Sequence, residues 1–242
     1  MRYAIISDIH GNLQAAEAVL GLIERLDVGQ IVCLGDIVGY GGDPSRCVDL
    51  VRRFCSRVII GNHDAGAVGL TSVDYFNPAA REAVLWTDMV LSDGERNYLR
   101  NLPYEIDLED FQIVHSTPDD PAQWKYLLIK EEAGPLFDFF SGSLLFYGHT
   151  HVPIIFRRDA EGTVYAANTD DFILEKQVRY IINVGSVGQP RDGDPRAAFA
   201  VYDSESQKMT FYREPYDITA AQKRILQNGL PKILAIRLTF GR

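Results

Sequence analysis

The first third of the chain alternates between short apolar runs and segments whose apolar residues have helical spacing. Three buried strands are predicted, at 2–7, 30–35 and 57–60. Between them, residues 12–26 form an amphipathic helix, and Pro44 after Asp43 predicts the start of another. Strands separated by single helices over such short distances pair in parallel through right-handed crossovers. The pattern therefore predicts an α/β fold.

The rest of the chain has helices first and short strands afterwards. Helices are predicted from Pro78, after Ser92 as the N-cap, and over 131–140. Strands are predicted at 104–108, 111–115, 144–147, 153–157, 163–166, 180–184, 197–203 and 209–213. The tail from Tyr216 begins as a helix that Pro231 interrupts. We expect one domain over 1–242, a four-layer α-β-β-α sandwich of two mixed sheets flanked by helices.

The composition narrows the class of protein. The 24 Lys and Arg against 33 Asp and Glu give a net charge of −9 at pH 7. An acidic surface disfavours a long nucleic acid as partner but is compatible with a small phosphorylated ligand. Three cysteines without metal-site spacing predict reduced thiols. Because neither a signal peptide nor a long apolar run is present, we expect a cytoplasmic protein without membrane association. A homo-oligomer is compatible with the sequence.

Five apolar runs end in Asp, Asn or His. The residues at these ends are Asp8, His10, Asp36, Asn62, His63, Asp64, His115, His149 and His151. All five histidines of the chain belong to this set, and Gly61 is expected to turn the backbone sharply at the end of the third strand. In open α/β sheets, ligands bind beyond the carboxyl ends of the strands. A lone histidine at a strand end is more often structural, but five in matching positions favour one functional crevice.

The donor types predict a metal centre. Imidazole and carboxylate together suit divalent Mn, Fe, Co, Ni or Zn. The donors outnumber the four ligands of one tetrahedral zinc, which favours two ions with Asp36 as the natural bridge. In Asp8-x-His10 and His149-x-His151, an extended backbone would aim both side chains to one side. The remaining positive charge of two ions would attract and polarise a phosphate.

Five short motifs, in their order along the chain, resemble those of the calcineurin-like metallophosphoesterases, and most closely those of the compact bacterial phosphodiesterases. Asp-x-His, Gly-Asp, Gly-Asn-His-Asp, a lone His and Gly-His-x-His stand at 8–10, 35–36, 61–64, 115 and 148–151. The ligands that the resemblance implies are Asp8, His10, Asp36 and His151 for one ion and Asp36, Asn62, His115 and His149 for the other. It also implies that His63 stays unligated and protonates the leaving group, with Asp64 orienting it. Mn, or Fe with Zn, is the favoured metal.

One position departs from part of this family. Protein phosphatases and symmetrical dinucleoside tetraphosphate hydrolases have a phosphate-gripping arginine where this chain has Tyr40. A diester carries one charge less than a monoester dianion, so Tyr40 favours a phosphodiesterase in which a hydroxide held by two ions attacks phosphorus. A dinucleoside polyphosphate hydrolase, or a phosphomonoesterase such as a protein phosphatase, remains an alternative. In each case the substrate is a small phosphoester or nucleotide. A non-catalytic protein-binding scaffold is disfavoured because every motif position is filled.

The substrate side has further candidates outside these motifs. A glycine-containing segment at 183–192 follows an apolar run, and its Arg191 could hold a phosphate. The alternative is that Arg191 forms an ion pair with Asp192 or Asp194. Tyr40, Trp86 and Trp124 are possible stacking surfaces for a base, although a packing role is the more frequent one for tryptophan.

Overall fold

The computed structural model describes residues 1–167 and 171–242. Its strands are β1 (Arg2–Ile6), β2 (Gln30–Cys33), β3 (Arg57–Val58), β4 (Glu105–Asp107), β5 (Gln112–Val114), β6 (Leu144–Tyr147), β7 (Ile154–Arg158), β8 (Val164–Ala167), β9 (Phe172–Ile173), β10 (Arg179–Asn183), β11 (Ala197–Asp203) and β12 (Lys208–Glu214). Its helices are α1 (Leu13–Ile23), α2 (Pro44–Phe54), α3 (Asn62–Ala67), α4 (Pro78–Val90), α5 (Asp93–Arg100), α6 (Lys130–Leu136), α7 (Ile218–Gln227) and α8 (Lys232–Phe240). None of these helices is long and apolar enough to cross a membrane.

The strands form two mixed sheets of six strands each. The first sheet has the order β3-β2-β1-β11-β12-β9, and the second has the order β4-β5-β6-β10-β7-β8. In the first sheet, β1, β2 and β3 are parallel neighbours. In the second, β5, β6 and β10 are parallel neighbours as well. Each sheet thus contains three adjacent parallel strands whose carboxyl ends lie at one edge.

The two sheets pack face to face between helices. The core between the sheets includes Tyr3 and Ile5 from the first sheet and Phe146 and Ile182 from the second. On the outer face of the first sheet, α1 and α2 bury apolar residues in a separate cluster. On the outer face of the second, α6 covers Leu145 and its neighbours. The predicted four-layer sandwich of two mixed sheets is confirmed.

The sequence-based elements agree with the structure except at a few places. The predicted strand 57–60 ends at Val58, and the short helix α3 follows it, which the sequence analysis did not predict. The helix expected over 131–140 is the shorter α6, whose last turn contains Pro135. The two-residue strand β9 was also missed. Such short elements carry too few residues for a periodic pattern to indicate them.

The C-terminal helices α7 and α8 pack beside the loop that follows β2. Together with α4 they bury Tyr40 in an apolar cluster. Arg224 of α7 also binds the carboxylate of Asp43 through Nε and Nη2, with the shortest separation at 2.7 Å. This contact fixes the tail of the chain against the first turn of α2.

Candidate metal centre

The candidate ligands lie in the loops that follow the parallel strands. Asp8 and His10 come after β1, and Asp36 comes after β2. His115 follows β5, and the pair at 149 and 151 follows β6. Because the carboxyl ends of parallel strands meet at one edge, these loops come together where the two sheets face each other. His149 N–H donates to the two carboxylate oxygens of Asp8 at 3.2 and 3.1 Å, which links the second sheet to the first.

The backbone of these loops differs from the extended form expected from the sequence. Five candidate ligands have left-handed φ values between 51° and 66°: Asp8, His10, Asp36, His149 and His151. Left-handed backbone is uncommon in residues other than glycine and is maintained by the surrounding structure. The alternation of an extended chain therefore does not explain why the members of Asp8-x-His10 and His149-x-His151 converge. The left-handed residues turn the loops instead.

Gly61 is required for space and not for a special backbone angle. Its φ of −102° is open to any residue, contrary to the expectation that it allows a sharp turn. A Cβ atom added at Gly61 would lie 2.1 Å from Asp36 Oδ1. The absence of a side chain therefore lets the loop after β3 approach the loop after β2.

Two groups of donor atoms could each hold a metal ion, and they share Asp36. One group consists of Asp8, His10, Asp36 and His151, and the other of Asp36, His115 and His149, with the donors of each group within 4.8 Å of one another. All six side chains are buried. The Oδ1 atom of Asp36 accepts the His63 N–H at 2.8 Å. Its Oδ2 atom faces both groups, 3.5 Å from His10 Nε2 and 3.4 Å from His115 Nε2.

Asn62 lies beside the second group. Its Oδ1 atom is 3.3 Å from His115 Nε2. Asn62 and His63 are in the first turn of α3, not in extended chain, so they point to different places because of helical geometry. The structure thus brings together all seven side chains that the sequence analysis proposed as ligands.

The four candidate histidine ligands each use one ring nitrogen for a backbone carbonyl. Nδ1 of His10, His115 and His151 lies 3.1, 2.7 and 2.6 Å from the carbonyl oxygens of Val38, Leu34 and Gln189. In His149 the nitrogen is Nε2, 2.9 Å from Trp124 O. A carbonyl only accepts, so this nitrogen is the donor and the other ring nitrogen of the neutral imidazole carries a lone pair.

These lone pairs face each other within the first group. His10 Nε2 and His151 Nε2 are 3.1 Å apart, and both rings donate from Nδ1 elsewhere. Two lone pairs at this distance repel unless a proton or a metal ion lies between them. The donor set therefore fits a divalent transition metal, which neutral imidazole and carboxylate bind well.

The pKa values of His115 and Asp36 show where positive charge is favoured. Burial alone would lower the pKa of His115, but the charge and hydrogen bond of Asp36, the charge of Asp8 and the Leu34 carbonyl together outweigh burial and raise the pKa to about 9. Burial would raise the pKa of Asp36, yet His115, His63 and His10 hold it well below its usual range. These opposite shifts show that positive charge is favoured between the two donor groups, and bound metal ions would supply that charge.

His63 differs from the other four histidines. Its buried Nδ1 has no hydrogen-bond partner among residues 1–167 and 171–242. Burial is the main cause that lowers the pKa of His63 to about 4. The ring lies 4.7 Å from the His10 ring, and a Cβ atom at Gly39 would clash with its Nδ1 atom at 2.4 Å. His63 therefore borders the centre without the carbonyl contact that orients the candidate ligands.

Asp64 does not contact His63 in the way that the sequence analysis expected. Its Oδ1 atom accepts the Val38 N–H at 3.0 Å, and its Oδ2 atom accepts the Gly61 N–H at 3.1 Å. Burial and then the charge of Asp36 raise the pKa of Asp64 to about 7. The expectation that Asp64 orients His63 by direct contact is therefore wrong. The Asp64 carboxyl instead joins the loop after β2 to the start of α3.

Arg191 lies at the centre, and neither of its proposed acidic partners binds it. Asp192 pairs with Arg213 and Asp194 pairs with Arg196, so the ion-pair alternative is wrong. Arg191 Nη2 donates to Tyr40 OH at 3.3 Å. The contact places the guanidinium group of Arg191 beside Tyr40, the position at which the sequence lacks the phosphate-gripping arginine.

A cleft of about 560 Å³ opens next to the second donor group. Asn62, His63 and His149 form part of its lining, together with Tyr40 and Trp124. Trp124 Nε1 donates to Thr71 Oγ1 at 3.3 Å, whereas Trp86 packs against the apolar cluster of α4, α7 and α8. Of the two tryptophans, only Trp124 could therefore contact a substrate. A larger cleft of about 750 Å³ between α1 and α2 contains none of the candidate ligands.

Comparison with known proteins agrees with this geometry. The sequence profile of the calcineurin-like phosphoesterase superfamily domain matches residues 1–207. The chain belongs to this superfamily. A calcineurin-like phosphoesterase is a hydrolase that uses divalent metal ions, and the two donor groups fit such ions.

Individual relatives span the whole chain. An uncharacterized protein of Methanocaldococcus jannaschii is 38% identical over 248 residues, which cover 99% of this chain and 98% of that protein. The crystal structure of a metallophosphoesterase from Sphaerobacter thermophilus has a TM-score of 0.87 and 43% identity, covering 100% of this chain and 99% of that one. A hypothetical protein from Pyrococcus horikoshii OT3 shares the fold, with a TM-score of 0.79, 20% identity and coverage of 100% and 98%.

The sequence analysis missed two side chains of this calcineurin-like phosphoesterase that the structure places at the centre. The Tyr126 ring lies 4.3 Å from that of His149, and its side chain is largely exposed. The guanidinium carbon of Arg237, in α8, lies 5.8 Å from the Tyr40 ring centroid. Both belong to segments outside the superfamily motifs, and nothing in their local sequence indicates proximity to metal ligands.

Proposed function

We propose that this calcineurin-like phosphoesterase hydrolyses small phosphodiesters with two divalent ions, one in each donor group. The observation that carries the proposal is the shared Asp36, whose Oδ2 atom faces His10 and His115 at 3.5 and 3.4 Å. One carboxylate oxygen between two sets of imidazole donors suits a bridging ligand. Manganese, or iron with zinc, is the metal that we propose for this donor set.

The bound ions would supply Lewis acidity and a nucleophilic hydroxide at neutral pH. We assign Asp8, His10, Asp36 and His151 to one ion, and Asp36, Asn62, His115 and His149 to the other. The backbone carbonyls that accept from the four histidines hold each ring in the tautomer that a metal requires.

We assign His63 as the acid that donates a proton to the departing alkoxide. It borders the donor groups and lines the 560 Å³ cleft, and its Nδ1 atom is free of intramolecular hydrogen bonds within the described residues. Burial lowers the pKa of His63, which favours the neutral ring. The negative charge of a bound phosphoester favours the protonated ring, so substrate binding would load the acid. Asp64 acts as a positioning residue through its bonds to Gly61 and Val38.

A preference for diesters follows from the residue at position 40. Tyr40 is buried and uncharged, so the loop after β2 offers no cation to the second negative charge of a monoester. We therefore expect higher kcat/KM on bis(p-nitrophenyl) phosphate than on p-nitrophenyl phosphate, tested with Mn²⁺, Fe²⁺, Co²⁺, Ni²⁺ and Zn²⁺. These substrates share a leaving group, so the comparison isolates the charge of the ester. A monoester preference with every metal would refute the diester assignment.

A second candidate is hydrolysis of a monoester or of a dinucleoside polyphosphate. The observation that favours it is the contact of Arg191 Nη2 with Tyr40 OH at 3.3 Å, because a guanidinium from another loop reaches this position. Including a dinucleoside tetraphosphate in the same substrate panel separates this candidate from the first.

A further inference from the structure

Two arginines meet on the ring of Tyr40, beside the metal centre. The guanidinium carbon of Arg191 is 5.7 Å from the ring centroid, and that of Arg237 is 5.8 Å from it. The centroid of the same ring is 4.6 Å from that of His10 and 4.3 Å from that of His63. Both cations are therefore one aromatic ring away from a candidate metal ligand and from the candidate acid.

The side-chain hydrogen bonds of Arg191 involve neutral partners, whereas Arg237 donates to the terminal main-chain oxygen of Arg242. Arg191 Nη2 donates to Tyr40 OH and to Gln189 Oε1, at 3.3 and 3.0 Å. Arg191 Nε is buried without a partner among the described residues. Arg237 Nε donates to the main-chain oxygen of Arg242 at 2.6 Å. Within 1–167 and 171–242, no Asp or Glu side chain compensates either charge.

This arrangement is unusual for a chain with 33 acidic and 24 basic residues. The two acids next to Arg191 in the sequence are engaged elsewhere, Asp192 with Arg213 and Asp194 with Arg196. Burial, and then the charge of Arg191, lower the pKa of Arg237 below its usual value. Arg191 has no acidic partner among the described residues and lies near the charge of Arg237, which is unfavourable, so a bound anion would relieve the repulsion.

We propose that Arg191 and Arg237 bind a second phosphoryl group of the substrate, distinct from the one that is hydrolysed. The inference rests on the proposed phosphodiesterase activity and specifies its substrate class: a phosphodiester that carries a further phosphate monoester. Two guanidinium groups match the nearly two negative charges of a phosphate monoester better than the single charge of a carboxylate. Tyr40, between the arginines and the histidines, separates this second anion from the metal centre.

A matched pair of substrates tests the proposal. The pair is the p-nitrophenyl ester of thymidine 5′-phosphate with and without an additional 3′-phosphate, which have the same leaving group. The wild-type protein is expected to prefer the doubly phosphorylated ester in kcat/KM by roughly 10- to 100-fold, the value of one or two charged hydrogen bonds. In Arg237→Gln the ratio between the two substrates is expected to fall close to one.

Two further variants separate charge from structure. Arg237→Lys keeps the positive charge without the planar guanidinium, so it should retain part of the preference that Arg237→Gln loses. Arg196→Gln removes an exposed arginine that pairs with Asp194, and it should keep the wild-type ratio. Equal losses on both esters in Arg237→Gln would place Arg237 on the scissile phosphoryl group or in a structural role, and would overturn the proposal. So would a wild-type protein without any preference.

A binding measurement keeps the test independent of turnover. Calorimetric titration of the metal-loaded protein with thymidine 3′,5′-bisphosphate and with thymidine 5′-phosphate should show the same preference, and Arg237→Gln should lose it. If neither ester is hydrolysed, the proposed diesterase function fails, and the titration alone decides the arginine site. Equal affinity of the wild-type protein for both nucleotides would refute that site even if diesters are hydrolysed.

Discussion

At the scale of single residues, the histidines differ in whether one ring nitrogen donates to a backbone carbonyl. His10, His115, His149 and His151 each donate to a backbone carbonyl, whereas the His63 Nδ1 atom has no partner within the described residues. A fixed donor on one side leaves the other nitrogen available to a metal ion. The free ring of His63 suits a group that takes up and releases a proton during turnover.

We expect His63→Ala to retain both metal ions and to lose activity according to the leaving group. General acid catalysis contributes about 10²–10⁴-fold, so a loss of that order is expected in kcat/KM for diesters with poor alkoxide leaving groups. Diesters of p-nitrophenol need less protonation and should lose less. Metal analysis and a series of leaving groups provide the measurement.

His115→Ala is the matched control for this variant, because it removes a histidine that we assign as a ligand. It should lower the metal content, whereas His63→Ala should not. A uniform loss over all leaving groups, or fewer ions bound to His63→Ala, would contradict the acid role.

Much of the centre could be predicted from residue types and order. The seven proposed ligands converge because each follows a parallel strand, and the positions of those strands show in the apolar runs. The spatial approach of Arg237 could not be predicted, since it depends on how α8 packs on Tyr40. Nor could the bonds of Asp64, which depend on the distance between two loops.

At the scale of elements, the loops have more specific conformations than the alternation of strand and helix indicates. The left-handed residues of the ligand loops and the six-residue helix α3 have no periodic pattern in the sequence. Helix caps, in contrast, are predictable because the residue types at fixed spacing define them. Ser92 and Glu95 at the start of α5 form such a capping box, and the Glu95 carboxylate accepts from Ser92 N and Oγ at 2.6 and 2.7 Å.

We expect Glu95→Gln to lower the free energy of unfolding at neutral pH by about 0.5–1 kcal/mol. Burial would raise the pKa of Glu95, but the hydrogen bonds from Ser92 and Ser45 and the charge of Arg52 together outweigh burial and lower the pKa. The folded-state pKa is thus below the unfolded value of about 4.3, so the stabilisation is present above that pH and is lost as pH falls through the folded pKa. Urea unfolding at a series of pH values measures the effect.

The difference between wild type and Glu95→Gln should shrink toward low pH. Glu82→Gln is the control, because Glu82 is exposed on α4. It should change the stability by less than about 0.5 kcal/mol at every pH. A Glu95→Gln effect that is constant over the whole pH series would show that the charge of the capping residue is unimportant.

At the scale of the whole molecule, both sheets supply side chains to the centre. Asp8, His10 and Asp36 follow strands of the first sheet, and His115, His149 and His151 follow strands of the second. A bound ion would therefore contact both sheets at once. Since the unfolded chain lacks this arrangement, metal binding should stabilise the native state as a whole.

We expect metal-loaded protein to have a higher Tm than protein treated with a chelator. At a free metal concentration about 100 times the Kd, binding adds about 2.7 kcal/mol to the free energy of unfolding for one site. Asp36→Asn should lose most of this shift and bind fewer ions in both groups, because its carboxylate faces both. Calorimetry and metal analysis of each variant are the measurements.

Asp49→Asn, an exposed substitution on α2, is the control and should keep the metal-dependent rise in Tm. Retention of two ions and of the full Tm shift in Asp36→Asn would remove Asp36 from the bridging role.

The pairing of β1 with β11 has a consequence for how the protein is made. The first strand leaves the ribosome long before its antiparallel neighbour at Ala197–Asp203 has been translated. Asp8 and His10 likewise emerge well ahead of His149 and His151. Contacts between such distant segments form late in folding. We therefore expect a growing chain to expose only scattered donors to the metal ions of its surroundings, and to bind the proposed ions only after the second sheet has formed.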